Sequence, residues 1–220
     1  MMSRDLTNTV DHPFLRKLIA DSGFHYDGRF WPFTPQVTRF ERLAQYAERI
    51  LSAGYKRGLE IGTFVGLSTV FLAEALARNN GTLDTIDPRP CEQRWGEQDK
   101  IQNAYLVAEM FVQETGLSNV TFLKGISYHL LPTRPRRYDF AHIDGDHNYH
   151  AVVLDFILVD SMLDVGGLVV LDDVGKEIAT RADNDGGPNR LLPHIFASGR
   201  YCIEVVSSNQ ALCTKLREAA

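Results

Sequence analysis

No stretch of this 220-residue chain stays apolar long enough to cross a bilayer; its hydrophobic runs are short and interrupted. Cysteine is scarce. Cys91, Cys202 and Cys213 are odd in number and widely spaced, which fits neither a disulfide framework nor a CxxC metal knuckle and suits a reducing compartment. There is no basic block either, and 28 acidic against 23 basic side chains leave a formal charge of −5. Nucleic acid and anionic membrane are therefore poor partners. The opening residues, "MMSRDLTNTVDHPF", lack the apolar centre of a secretory leader. Repeats and low-complexity tracts are absent. These exclusions leave a cytoplasmic globular protein, and 44% hydrophobic residues can fill one substantial core.

What is present is an alternation. A short helix is expected at "HPFLRKLIA". Between Thr34 and Ala53, apolar residues at helical spacing (Val37, Phe40, Leu43, Ala47, Ile50) mark an amphipathic helix, with Thr34 placed to cap it and Gly54 to stop it. Short apolar strands then take turns with helices: "RGLEIG", "LSTVFLAEALAR", "GTLDTID", "DKIQNAYLVAEMFVQETG", "NVTFLKG", "YDFAHID", "AVVLDFILVDSML" and "GGLVVLDDV". A helix around "GPNRLLPHIFASG" follows, and "YCIEVVSS" with "QALCTKL" read as a closing hairpin. Strands separated by helices imply crossover units and a parallel sheet, with an antiparallel edge from the terminal pair. The expected architecture is Rossmann-like α/β: seven strands, mostly parallel, helices on both faces and an antiparallel C-terminal strand. Residues 1–54 would form a helical cap or lid, and 55–220 the main domain.

Ligands of open α/β sheets collect at the carboxyl ends of the strands. The first such end reads "LEIGTFVGLST", residues 59–69. It is not the G-x-G-x-x-G of a pyrophosphate site, because an acid, Glu60, stands where backbone N–H groups would have to meet an anion. Such a turn favours a ligand that carries positive charge, and S-adenosyl-L-methionine, with ammonium and sulfonium groups, meets that demand. Gly62 and Gly66 let the backbone come close. Asp87 ends the second strand, 27 residues beyond Glu60, where an acid holds ribose hydroxyls. The plainer alternative is a strand–helix turn with incidental acids.

Two later strands also end in acids. Asp144 closes one, and Asp172–Asp173 closes the next, 28 residues on from Asp144. A single helical crossover between them brings both ends to one edge of the sheet. Three carboxylates meeting there would repel one another unless a hard divalent cation such as Mg²⁺ joined them. The competing interpretation is a solvated turn with an Asp cap. His147 follows at the start of the next helix, and an imidazole there could take a proton from a hydroxyl that the metal polarises. Asp146 is a second candidate base, although a helix N-cap would account for it fully. His150 reads as surface or packing. His142 either flanks the cofactor or lies under the helix layer.

Together these landmarks resemble the class I methyltransferases. The turn "E-x-G-x-x-x-G" is similar to their first signature, and "FLKGIS" at 122–127 resembles the segment after their third strand. "YDFAHIDGDHNYHAVVLDF" followed by "LDVGGLVVLDDV" resembles the metal-dependent O-methyltransferases of the catechol and macrocin (antibiotic-sugar) types. The similarity runs over roughly residues 55–175. It implies an S-adenosylmethionine-dependent O-methyltransferase acting on a small-molecule hydroxyl, a natural-product sugar or a phenol. It also implies cofactor contacts from Glu60, Gly62, Thr63, Gly66, Ser68, Asp87, Ser127 and Asp144, with Ser127 beside the adenine. Asp144, Asp172 and Asp173 would hold Mg²⁺ or another divalent cation, and His147, or else Asp146, would be the catalytic base. Two positions depart from the catechol type, which usually has Asn at the site of Asp173 and Lys at that of His147.

A rival pattern is present. His142-x-Asp144 with His194, 52 residues beyond His142, matches the facial triad of non-haem iron oxygenases. That reading needs a jelly roll of antiparallel strands and leaves Glu60, Gly62 and Asp87 without a role. A third possibility is a binding-only protein on the same fold. Phe30, Trp31 and Phe33 could line an acceptor pocket or a homo-oligomer contact. Residues 88–98, with Trp95, and 175–187 are candidate lids.

Overall fold

Apolar side chains alternate along the central strands, so each strand feeds two cores and needs helices above and below it. The computed structural model of the chain shows this arrangement over residues 37–64, 66–88, 94–95, 99–100, 104–175, 186–207 and 210–219. In chain order the first elements are α1 (Val37–Ala53), β1 (Arg57–Ile61), α2 (Leu67–Arg78), β2 (Thr82–Asp87), β3 (Arg94–Trp95), β4 (Asp99–Lys100) and α3 (Ala104–Glu114). Then come β5 (Val120–Lys124), α4 (Ser127–Leu130), a 3₁₀ turn (Leu131–Thr133), β6 (Tyr138–Ile143) and α5 (Tyr149–Met162). The chain closes with β7 (Leu163–Asp172), α6 (Gly187–Ala197), β8 (Tyr201–Ser207) and β9 (Gln210–Lys215).

Seven strands form one sheet in the order β5-β2-β1-β6-β7-β9-β8. The first five are parallel, and β9 pairs antiparallel with both β7 and β8. The antiparallel part is thus two strands, the hairpin β8–β9. From β1 the chain moves outward through β2 and β5, then returns to add β6 on the other side. The switch point lies between β1 and β6, where such sheets open a crevice.

Leu59, Ile61, Ala141, Ile143, Val169 and Leu171 face one core, with Val152, Phe156 and Val159 of α5 and Leu191 and Ile195 of α6. Leu83, Phe140, Leu168, Val170 and Leu212 face the other, with Leu43, Tyr46, Ala47 and Ile50 of α1 and Phe71 and Leu72 of α2. By the same alternation Glu60, Thr85 and His142 point into the α1–α2 layer, cross-strand neighbours in register.

Two elements differ from expectation. The helix expected from Asp99 starts at Ala104, and Asp99–Lys100 instead pair with Arg94–Trp95 in a two-stranded ribbon. The described buried face of α3 is Tyr105, Ala108, Phe111 and Val112. β7 starts at Leu163, directly after α5, not at the glycine pair. The register against β6 slips between Tyr138 and Phe140, and Gly166 at φ 84° lets the strand bulge and rejoin.

Candidate functional site

The ends of β2, β1 and β6 are laced together by backbone. Gly62 N–H donates to Ile86 O at 2.9 Å, and Asp144 N–H donates to Ile61 O at 2.9 Å. Gly62 has φ +101°, and a Cβ there would lie 2.0 Å from the Asp144 carbonyl oxygen. No other residue fits. Gly66, at φ +83°, starts α2, and a Cβ there would meet Ala108 of α3 at 2.8 Å. Between them Phe64, at φ 47°, donates its N–H to Asp87 Oδ2 at 2.7 Å, so the acid of β2 holds the turn of β1. Gly125 N–H donates to Asp87 O at 3.0 Å and brings the end of β5 alongside.

Glu60 lies behind this turn. It is fully buried, and its carboxylate accepts from Ser68 Oγ and Thr69 Oγ1, each at 2.6 Å, and from Thr85 Oγ1 at 2.7 Å. Thr63 Oγ1 lies 2.6 Å from Thr85 Oγ1. Since the one proton of Thr85 goes to Glu60, Thr63 is the donor in that pair. A buried carboxylate is tolerable only with such partners. Glu60 therefore organises the turn from below, and the side chains of Ser68 and Thr63 are turned toward it as well. Thr69 and Thr85 had no sequence signal, because their roles depend on register and helix phase.

Ser127 is buried at the start of α4 and donates to the Asp155 carboxylate of α5. Burial pushes the Asp155 carboxyl up to about 6, the Ser127 bond opposes this, and nearby Asp146 adds to it. Asp155 escaped sequence reading because it sits mid-helix like any polar position.

The second group of residues gathers at the ends of β6 and β7. Donor atoms of His142, Asp144 and Asp172 lie within 4.8 Å of one another, and so do those of Asp144, His147 and Asp173. His147 Nε2 is 3.5 Å from Asp144 Oδ1 and 3.3 Å from Asp173 Oδ2. Asp173 adopts φ 56°, an uncommon backbone state for a residue with a side chain, and its N–H donates to Asp172 Oδ1 at 2.8 Å. Burial, then the Asp144 charge, pushes Asp172 up to about 6, with His142 opposing. Burial alone would lower the His147 pKa, but the carboxylates of Asp144, Asp173 and Asp172 outweigh it and push it up to about 9. His142 is likewise raised: burial opposes, and Glu60, Asp144 and Asp172 prevail.

This cluster fits a divalent cation. Negative charge is in excess, one acid is driven toward protonation, and both nitrogens of buried His142 lack hydrogen-bond partners. The carboxylate and imidazole donors belong to divalent-metal chemistry.

Other expectations need correction. The N-cap of α5 is Asn148, not Asp146. Asp146 lies too early in the chain and instead closes an Asx turn, accepting from Asn148 N–H at 2.9 Å and Nδ2 at 2.6 Å. The iron triad fails: His194 is exposed in the last turn of α6, the third donor beside His142 and Asp144 is Asp172, and the sheet is no jelly roll. His150 is exposed, as expected. Gly187 anchors α6 to the loop of His147, since a Cβ there would lie 2.3 Å from His147 O. Phe30, Trp31 and Phe33 of the expected cap, most of 88–98 and residues 176–185 lie outside the described residues.

A mostly parallel sheet with a glycine turn after β1, an acid ending β2 and acids ending β6 and β7 defines the class I methyltransferase architecture. The chain belongs to the methyltransferase domain family, whose sequence model matches residues 59–174. It is 41% identical over 120 residues to protein R132 of Acanthamoeba polyphaga mimivirus, covering 52% of this chain and 50% of that protein. It is 25% identical over 125 residues to the O-methyltransferase hkm8 of Aspergillus hancockii, covering 56% of this chain and 44% of that one. The chain thus spans about half the length of these curated relatives. Its fold is shared with the O-methyltransferase TomG from Streptomyces achromogenes, in complex with S-adenosylmethionine. There the TM-score is 0.64 and the identity 23%, over 99% of this chain and all of TomG. Among the described residues no helix is long and apolar enough to cross a membrane.

Proposed function

We propose that this protein transfers a methyl group from S-adenosylmethionine to a hydroxyl of a small molecule, assisted by a divalent cation. One observation carries the reading. The turn after β1 and the acids ending β6 and β7 share one rim, joined where Gly62 packs against the Asp144 carbonyl at a distance that admits no side chain. Family membership and the cofactor-bound relative TomG support the donor; the relative hkm8 supports oxygen as the acceptor.

The chain's own residues divide the work. Gly62 and Gly66 shape a close backbone approach for the amino-acid end of the cofactor. Asp87 sits where ribose hydroxyls bind, and Ser127, set by Asp155, borders the adenine. Glu60 acts through Ser68, Thr69 and Thr85, and so is a positioning residue. Asp144, Asp172 and Asp173 would hold the cation. When bound, that cation would polarise the acceptor hydroxyl and, by opposing the positive charge on His147, leave that imidazole neutral. His147 then receives the hydroxyl proton while the oxygen attacks the methyl carbon. The C–S bond breaks as the O–C bond forms, giving a methyl ether and S-adenosylhomocysteine. Asp146, held in its Asx turn by Asn148, is the weaker candidate for base.

The test is S-adenosylhomocysteine formation across a panel of catechols, other phenols and deoxysugar conjugates, with and without chelator. Turnover with a hydroxyl acceptor that falls in chelator is expected, with Asp172→Ala losing the cation-stimulated part while cofactor affinity stays within about threefold. Full activity in excess chelator would remove the metal from the proposal, and no cofactor binding would remove the whole.

A further inference from the structure

His142 is a fully buried side chain at this rim that the proposed reaction leaves without a task. It is 1% exposed, and neither ring nitrogen has a hydrogen-bond partner. Two other buried charged groups, Asp84 and Lys215, have partners. Asp84 accepts from Arg136 at 2.9 Å and from Tyr138 at 2.8 Å, and the Lys215 ammonium donates to the Asp160 and Leu163 carbonyls at 2.8 and 2.9 Å. Leaving a buried imidazole unbonded costs on the order of 1–3 kcal/mol.

The register says what the ring faces. Ile143 pairs with Leu171, so Asp144 and Asp172 stand side by side at the strand ends, two residues beyond the pairing of His142 with Val170 and on the same face of the sheet. On the other flank His142 pairs with Glu60, whose Oε1 lies 3.7 Å from Nδ1. The Tyr46 ring of α1 covers it at 5.7 Å. One carboxylate oxygen lies 3.7 Å from Nδ1, two further carboxylates offer oxygens within 4.8 Å of a ring nitrogen, and the Tyr46 ring lies over the imidazole. An acid turned to one ring nitrogen orients an imidazole whose other nitrogen binds a metal.

We propose that His142 is itself a ligand of the divalent cation, through Nε2, together with Asp144 and Asp172, and that this nitrogen turns the site's preference from Mg²⁺ toward Mn²⁺, Co²⁺ or Fe²⁺. The inference rests on the cation-assisted reading above and refines it. A purely carboxylate cluster suits Mg²⁺, which takes oxygen ligands, whereas an imidazole in the donor set favours the later first-row ions. Asp173 and His147 form a second donor group that shares Asp144 with the first. Glu60, which fixes Ser68 and Thr69 at the cofactor turn, also stands behind the imidazole, its Oε1 3.7 Å from Nδ1.

The experiment uses the full chain stripped of metal and reloaded with Mn²⁺. Pulsed electron paramagnetic resonance of the bound Mn²⁺ is expected to show modulation from one imidazole ¹⁴N, which persists in His147→Gln and vanishes in His142→Asn. Calorimetric titration is expected to show His142→Asn weakening Mn²⁺ by about tenfold or more while Mg²⁺ changes by less than about threefold. The wild-type spectrum stands alone should the variant fail to fold. Mn²⁺ bound without ¹⁴N modulation, or modulation lost only in His147→Gln, would overturn the assignment and leave the cation-assisted reaction intact. Binding of neither Mn²⁺ nor Mg²⁺ would remove the cation-assisted reading and this inference with it.

Discussion

Asp155 is 4% exposed, with its carboxyl pushed up to about 6 chiefly by burial. Its folded pKa therefore lies above the unfolded value. Between roughly pH 4 and 6 the native state binds the extra proton, so stability falls as pH rises through that window and stays reduced above it. Raising a carboxyl from its ordinary value to about 6 corresponds to on the order of 3 kcal/mol. Asp155→Asn removes the charge and keeps an acceptor for Ser127. It should raise stability at pH 8 by about 1–3 kcal/mol and flatten the slope between pH 4 and 6, as read from urea unfolding at both ends. A less stable variant at pH 8 would show that the charged form is needed. At His147 the effect should be kinetic: His147→Gln is expected to lower kcat about 100-fold or more, with cofactor affinity little changed. An unchanged pH–rate profile in that variant would transfer the role of base to Asp146.

The joint between the β1 turn and β6 is the element on which the rim depends. Gly62→Ala would place a methyl group 2.0 Å from the Asp144 carbonyl, at a φ of +101° that alanine avoids. A cost of about 3 kcal/mol or more is expected in chemical unfolding, with cofactor and metal binding weakened together because one strand end serves both. Separate loss of only one would contradict the shared joint. Much of this element was legible in the sequence. Gly62, Gly66 and Asp87 lie where spacing put them, and α2 occupies the expected twelve residues because a glycine precedes it and Asn79 caps its end. What was not legible depends on partners distant in the chain. Glu60 could be read as a carboxylate near a turn, but its hydroxyl partners Thr69 and Thr85 follow from helix phase and from its pairing with Thr85 across β2. The bulge after Leu163 arises from its pairing with Tyr138, which no local pattern encodes. The short α4 is only four residues, and Ser127 could be read as an adenine neighbour without revealing its bond to Asp155.

For the molecule as a whole, the carboxylate cluster exists only when the sheet is closed, because Asp144 and Asp172–Asp173 lie in separate strands. The unfolded chain has no such site, so a cation binding there stabilises the fold by mass action, by roughly 2.7 kcal/mol at a concentration 100 times its Kd. Without the ion the same cluster is a liability: burial and the Asp144 charge hold Asp172 up at about 6, so above that pH its ionised form weakens the fold. These opposite signs give a crossover. In chelator at pH 8, Asp172→Asn should melt at a higher temperature than the wild type, and saturating Mn²⁺ should reverse the order by raising the wild type more. At pH 5 the advantage of the variant in chelator should shrink, since the wild-type carboxyl is then largely protonated. Thermal unfolding of both proteins under the four conditions checks it. A wild type that melts higher in chelator at pH 8 would mean that the imidazoles of His142 and His147 already neutralise the cluster, and that the rim is stable without any ion.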